Sequence, residues 1–145
     1  MYQGALRLKF KKMHRMRLSV SKSKETRFFC PKFCDIAIQA VSTGKINNKH
    51  IETGRRYIRR RLKKGTVIKI NMFPYHSFTK KPISARMGKG KGRVYGWLFP
   101  CVKGRILYEI RLTKLMALRT HYYLTLLKGL SKKMPVQLKT VRLIY

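Results

Sequence analysis

Acidic residues are almost missing from this chain. Glu25, Asp35, Glu52 and Glu109 stand alone against 36 lysines and arginines among 145 residues, a formal net charge of +32. No two of the four are neighbours in sequence, so a metal-dependent nuclease centre would be short of carboxylates. No pattern of nucleophile and oriented base stands out either, and the chain reads as non-enzymatic. Cysteine is scarce as well: Cys30, Cys34 and Cys101 are an odd set without a secretory context, which predicts reduced thiols. Cys30 and Cys34 have half of a zinc-site spacing. A structural site needs four ligands, and Cys101, His14, His50, His76 and His121 are scattered, so two isolated thiols are expected, with no metal and no cofactor.

Long apolar runs are absent too. No stretch approaches the roughly 18 residues of a membrane-spanning helix. Met1 to Ala5 lead straight into charge rather than into the apolar segment of a secretory signal, and the acid-poor bias runs the whole length instead of marking a transit peptide.

What is present is enough to fold. Hydrophobic residues make up 44% of the chain, with 7 Phe, 8 Tyr and 1 Trp, which suits one domain carrying a basic arm. A compact protein of this mass has roughly 7,700 Å² of surface, so a net positive charge recurs about every 240 Å². Self-repulsion is then on the order of tens of kcal/mol, against a typical domain stability of about 5–15 kcal/mol. The fold calls for a polyanion. Nucleic acid is the leading partner and an anionic membrane surface the second.

Residues 1–34 read as the arm, with Arg7, Lys9, Lys11, Lys12, Arg15 and Arg17 interleaved with Leu6, Leu8, Phe10, Met13, Met16 and Leu18. Residues 35–145 form the domain. Asp35 to Val41 alternates as a strand with Ile36, Ile38 and Ala40 on one face. Asn47 caps a helix to about Lys64, stopped by Gly65. At 100° per residue Ile51, Ile58 and Leu62 make a narrow stripe, and Lys49, Arg56, Arg59, Arg60 and Lys63 lie opposite, flanked by Arg55 and Arg61. A face so one-signed is expected to be bound rather than solvated, and only Glu52 offers it an internal partner. Val67 to Phe73 predicts a strand with Ile68, Ile70 and Met72 inward, ended by Pro74. Residues 75–92 lack periodicity and read as a long basic loop. Val94–Phe99 and Arg105–Ile110 predict a hairpin turning near Pro100 to Gly104. Thr113 caps a second helix to about Leu130 with Leu115, Leu118, Tyr122 and Leu126 inward, and Pro135 to Tyr145 closes with a strand.

Gly88-Lys89-Gly90-Lys91-Gly92 is not a nucleotide loop, since no Ser or Thr follows the lysine and a strand rather than a helix comes next. It is a backbone without bulk, punctuated by cations, that can lie against phosphates.

These residues together resemble the family of bacterial-type large-ribosomal-subunit protein sixteen. Lys9-Phe10-Lys11-Lys12-Met13-His14-Arg15 is similar to the family's arm. Ala40-Val41 and Gly44 to Arg61, with Ile51-Glu52 and Arg55-Arg56, resemble its strand, turn and basic helix. Lys81-Pro82-Ile83 and Arg86 through Gly92 match its most distinctive loop. Trp97, Gly104, Leu107-Tyr108-Glu109 and Lys133-Met134-Pro135 continue the series, while residues 19–34 depart from the family's glycine-rich pattern.

The resemblance implies an α+β single domain with a mixed, hammerhead-like sheet and two helices packed on one side. It implies binding to large-subunit rRNA near the peptidyl transferase centre through Lys9, Lys11, Lys12, His14, Arg15, Lys49, Arg55, Arg56, Arg59, Arg60 and Lys63. The loop, with Lys81, Arg86, Met87, Gly88, Lys89, Gly90, Lys91 and Gly92, would face tRNA acceptor arms. Neighbouring large-subunit proteins are implied as partners, with neither a membrane nor a second copy of the chain. The drift in sequence, rich in Lys, Ile, Tyr and Phe, suggests an organelle-encoded mitochondrial member, with the bacterial cytoplasm as the alternative. A general nucleic-acid compaction protein is the competing function. A membrane-active reading of the 113–130 helix is third, its apolar stripe being better explained by packing.

Overall fold

The computed structural model describes residues 10–16, 31, 33–34, 36–62, 65–111 and 120–142. The elements follow in the order β1 (Ile36–Ala40), β2 (Gly44–Asn47), α1 (Asn48–Arg61), β3 (Val67–Ile70), β4 (His76–Lys80), β5 (Arg93–Cys101), β6 (Ile106–Arg111), α2 (Thr120–Ser131) and β7 (Leu138–Arg142). The α+β class, the single core and the two helices are as the sequence implies. The sheet differs: there are two, ordered β3-β6-β1-β7 and β2-β5-β4, and every neighbouring pair is antiparallel rather than mixed.

Three consecutive strand pairs turn a corner from one sheet into the other. β1 passes to β2 through residues 41–43, β3 to β4 through residues 71–75, and β5 to β6 through residues 102–105. The expected hairpin of Val94–Phe99 with Arg105–Ile110 is therefore corrected. β5 pairs with β2 and β4, and β6 pairs with β1 and β3. Gly104, at φ 91°, turns that corner, and its N–H donates to Ala40 O at 2.8 Å across to β1. A second correction concerns residues 75–92. His76–Lys80 is strand β4, registered on β5 from His76↔Leu98 to Lys80↔Arg93, so the loop proper starts at Lys81.

β1 is buried along its whole length, which period-two alternation did not anticipate. Ile36 and Ile38 stand opposite Ile110 and Tyr108, while Ala37 stands opposite Glu109. The first set faces the helices: Tyr108 Oη donates to Ile51 O of α1 at 2.9 Å. The other face is covered in part by residues 33–34, because Phe33 N–H donates to the Glu109 carboxylate at 3.0 Å. Burying both faces of a central strand makes alternation uninformative there.

α1 begins as the sequence predicts. Asn47 N–H donates to His50 Nδ1 at 3.3 Å, and Ile51, Ile58 and Leu62 are all buried. Leu62 closes the helix by donating to Ile58 O at 3.1 Å, with Gly65 just beyond at φ 90°. Arg59, Arg60 and Arg61 fill the last turn, where cations meet the negative end of the helix dipole. α1 packs on α2 at Gly54, whose added Cβ would lie 2.4 Å from Tyr108 Oη and 3.4 Å from Leu130 Cδ1.

Strand bounds differ elsewhere, with β5 (Arg93–Cys101) longer than the predicted Val94–Phe99 and β3 shorter than Val67–Phe73. β3 ends at Ile70, although Met72 is still buried and Val67 is exposed. In α2, Leu126 and Leu130 are buried; the proposed cap Thr113 and Leu115, Leu118 and the Tyr122 side chain lie outside the described residues. β7 carries Leu138, with Val136 buried just ahead of it. The core joins both sheets and both helices: Ile46 and Phe99 from one sheet meet Ile38 and Tyr108 from the other, with Ile51, Ile58, Leu126 and Leu130.

Candidate nucleic-acid interface

The exposed side of α1 presents Lys49, Arg56, Arg59, Arg60 and Arg61, with Arg55 half-buried. Glu52 neutralises part of this row. It accepts from Arg55 at 2.7 and 2.9 Å and from Arg56 Nε at 2.9 Å. The Arg55 hydrogen bonds, and then those of Arg56, hold the Glu52 carboxyl down at about 2, and the same pairing raises Arg55. Arg59 donates to Thr66 O at 2.8 Å, tying the helix end to the turn beyond it. Arg61 lies 4.8 Å over the Tyr57 ring and Lys133 5.5 Å from the same ring, so one aromatic gathers cations from α1 and from the turn after α2. Lys49 and Arg60 are exposed, and among the described residues they have no such partners. Tyr57 was missed in the sequence; its i, i+4 spacing to Arg61 was the available signal. Lys63 and Lys9 lie outside the described residues.

The loop from Lys81 to Lys91 is exposed throughout, and Ile83 and Met87 are fully so. Gly88, Lys89 and Gly90 follow one another at φ 87°, 52° and 79°. Added Cβ atoms at Gly88 and Gly90 would meet nothing within 4 Å, so glycine serves the left-handed backbone there, not space. Gly92 is the opposite case: its Cβ would fall 2.7 Å from Lys80 O. The two ends of the loop touch at a pinched neck. Lys81 Nζ donates to Gly88 O inside it. With Arg93 and Tyr95 the loop encloses a concavity of about 850 Å³. Lys80 stands 5.5 Å over the Tyr95 ring, which meets Phe78 edge-on at 5.5 Å.

The arm and the loop are brought together. Residues 10–16 carry no regular structure and are held by side chains of the domain. Lys12 Nζ donates to Lys91 O at 3.1 Å, Lys91 Nζ donates to Met13 O, and Lys45 Nζ donates to Met16 O at 3.1 Å. Lys11, His14, Arg15 and Phe10 remain exposed beside them. Lys91 thus serves the loop's neck as well as its charge, a division of labour that composition could not reveal. Lys45 and Ser77, which receive the arm, were missed, because nothing local distinguishes them from other surface lysines and strand serines. No hydrogen bond among the described residues joins this cluster to the α1 cations.

Among the described residues no helix is long and apolar enough to cross a membrane, and no group of three or more His, Cys, Asp or Glu could hold a metal. Cys34 and Cys101 are both buried, and burial pushes the Cys101 thiol up to about 12.

The fold and its surface define a small cationic α+β domain that presents a basic helix, a clasped basic arm and a glycine-rich cationic loop. Residues 6–141 match the model of the family described as ribosomal protein L16p/L10e. A protein of Francisella philomiragia described as large ribosomal subunit protein uL16 is 41% identical over 104 residues, covering 72% of this chain and 74% of that relative. The protein of the same description from Francisella tularensis subsp. novicida matches to the same extent. The chain belongs to the ribosomal protein L16p/L10e family.

Proposed function

We propose that this chain is a non-catalytic constituent of the large ribosomal subunit, bound to large-subunit rRNA and to neighbouring ribosomal proteins. Family membership supports the subunit, and the surplus of 36 cations over 4 acids supports the RNA. The exposed α1 face and the arm are the rRNA contacts in this reading. Lysine and arginine there meet phosphates and set position without reading sequence. The loop faces tRNA acceptor ends near the peptidyl transferase centre.

The observation that carries the loop's assignment is its build. A fully exposed cationic tip stands on a neck pinched by Gly92 against Lys80, which lets a backbone approach an RNA end closely while its base stays in the domain. Unpaired bases can also stack on exposed aromatics such as Phe10, 77% exposed, and Tyr75, 42% exposed. The compositional drift supports a mitochondrial ribosome over a bacterial one, and fractionation of the source cells decides between them.

Two substitution sets test the assignment. Reversing charge at Arg56, Arg59 and Arg60 is expected to block incorporation into the large subunit; normal incorporation overturns the helix as an rRNA contact. Neutralising Arg86 and Lys89 is expected to leave incorporation intact and slow peptide synthesis, and unchanged synthesis removes the tRNA-facing role.

A further inference from the structure

Ser77 is the second residue of β4, an edge strand of the three-stranded sheet, and is 2% exposed. Its hydroxyl is used twice by the arm. It donates to Lys11 O and accepts from Met13 N–H at 3.3 Å. A side chain that both gives to and takes from one stretch of main chain pins that stretch in position and direction. Next to this point the arm and the loop exchange lysines, Lys91 reaching Met13 O and Lys12 reaching Lys91 O at 3.1 Å. Farther along, Lys45 of β2 holds Met16 O at 3.1 Å. The described part of the arm therefore crosses the sheet from β4 to β2, and its part-buried attachment to Ser77 lies beside the neck of the loop.

We infer that Ser77 is a positioning residue that makes the arm and the loop one unit, so that seating the arm sets the direction in which the loop leaves the domain. This rests on the functional reading above for what arm and loop touch, but the clasp itself is a property of the chain. The loop is restrained at its neck by Gly92 against Lys80 O, and its residues 81–91 are exposed. Its direction is then governed at the neck, where Lys91 meets the arm. With the hydroxyl of Ser77 gone, Lys11 O and Met13 N–H turn to water, and Met13 O leaves Lys91.

The test is competitive acylation of lysines in the full-length chain with a small amine-reactive ester, read residue by residue by mass spectrometry. Ser77→Thr and Ser77→Val are compared, since the two are matched in shape and differ by the hydroxyl. Ser77→Val is expected to raise acylation of Lys91 and Lys12 about tenfold, the scale on which losing a part-buried hydrogen-bonded attachment opens a contact. Lys49 and Lys103 should be unaffected, and Ser77→Thr should behave as the parent. Equal reactivity of Lys91 in the two variants overturns the coupling, as does a rise at Lys12 alone. If Ser77→Val also lets a thiol reagent reach Cys101, which is fully buried in the folded domain, the domain itself has opened, and Lys91→Met decides instead: acylation of Lys12 and Lys45 rises if the clasp is as described and stays at the parent level if it is not. Particles carrying Ser77→Val give the separate functional reading. Slower peptide synthesis with normal incorporation links the clasp to the loop's work, whereas a loosened clasp with unchanged synthesis refutes the tRNA-facing role and leaves the clasp standing.

Discussion

Replacing Gly54 by alanine should destabilise this domain, although the same change in most helix interiors stabilises. A helical Gly→Ala gains about 1 kcal/mol from backbone entropy. Here the new methyl would sit 2.4 Å from Tyr108 Oη, and the ring cannot swing away because its hydroxyl is fully buried and donates to Ile51 O at 2.9 Å. Overpacking of this kind costs about 1–3 kcal/mol. Breaking the hydroxyl's bond adds about 1–3 kcal/mol for a buried polar group left unmade. The net expectation is a loss of about 3 kcal/mol. Urea unfolding of the full-length chain at fixed high salt, followed by far-ultraviolet circular dichroism, measures it as a shift in midpoint with an unchanged slope. The decisive comparison adds Tyr108→Phe. Without Oη the nearest atom is Cζ at 3.1 Å, so the same alanine should cost less than about 1 kcal/mol and the two changes should couple by about 2 kcal/mol. Equal costs in the two backgrounds, or a stabilised Gly54→Ala, would refute the account of how α1 meets β6.

Other expectations can be checked separately. Glu52 has its carboxyl held near 2 by Arg55 and Arg56 against an ordinary value of 4.5. Its contribution to stability is present above about pH 4.5 and is lost as pH falls toward 2, so the stability gap between the parent and Glu52→Gln should close over that window. The gap will be small because the pair is partly solvated; a gap unchanged down to pH 2 contradicts the pairing. Cys101, raised to about 12 by burial, should resist a thiol reagent at pH 8 until denaturant is added, and rapid labelling of the native chain would show that the core is open there. Arg60→Gln should lower the salt dependence of rRNA binding by roughly 0.7–0.9 log units per log unit of salt, while an unchanged slope would mean that Arg60 meets no phosphate.

The parts legible in the sequence were those set by local geometry. The stripe Ile51, Ile58 and Leu62 lies at helical spacing, and it is buried because that spacing leaves it on one side of α1. Gly65 stands where the helix must turn into a left-handed residue, and the basic character of Lys81 to Gly92 needs no partner to be recognised. Strand β4 escaped because His76-Ser77-Phe78-Thr79-Lys80 has one large apolar residue, and its pairing with β5 supplies what its own pattern lacks. The hairpin failed for a related reason. Alternation marks Val94–Phe99 and Arg105–Ile110 as strands but says nothing of whom they pair with, and Gly104 turns a corner between sheets as readily as it closes a hairpin.

Three properties follow from residue identity alone: the chain carries a charge that its four acids cannot neutralise, one basic helix has a single apolar stripe, and a glycine-rich cationic loop stands apart from the core. Charge adds up residue by residue, and helical periodicity is fixed by backbone geometry, so neither depends on distant contacts. Tertiary structure alone decided which strands share a sheet, why Gly54 must be bare, and that Ser77, Lys45 and Lys91 hold the arm. Each of these depends on atoms brought together from positions dozens of residues apart, as Ser77 is from Lys11 and Gly54 from Tyr108. Such approaches exist only once the core has closed and fixed where every backbone runs.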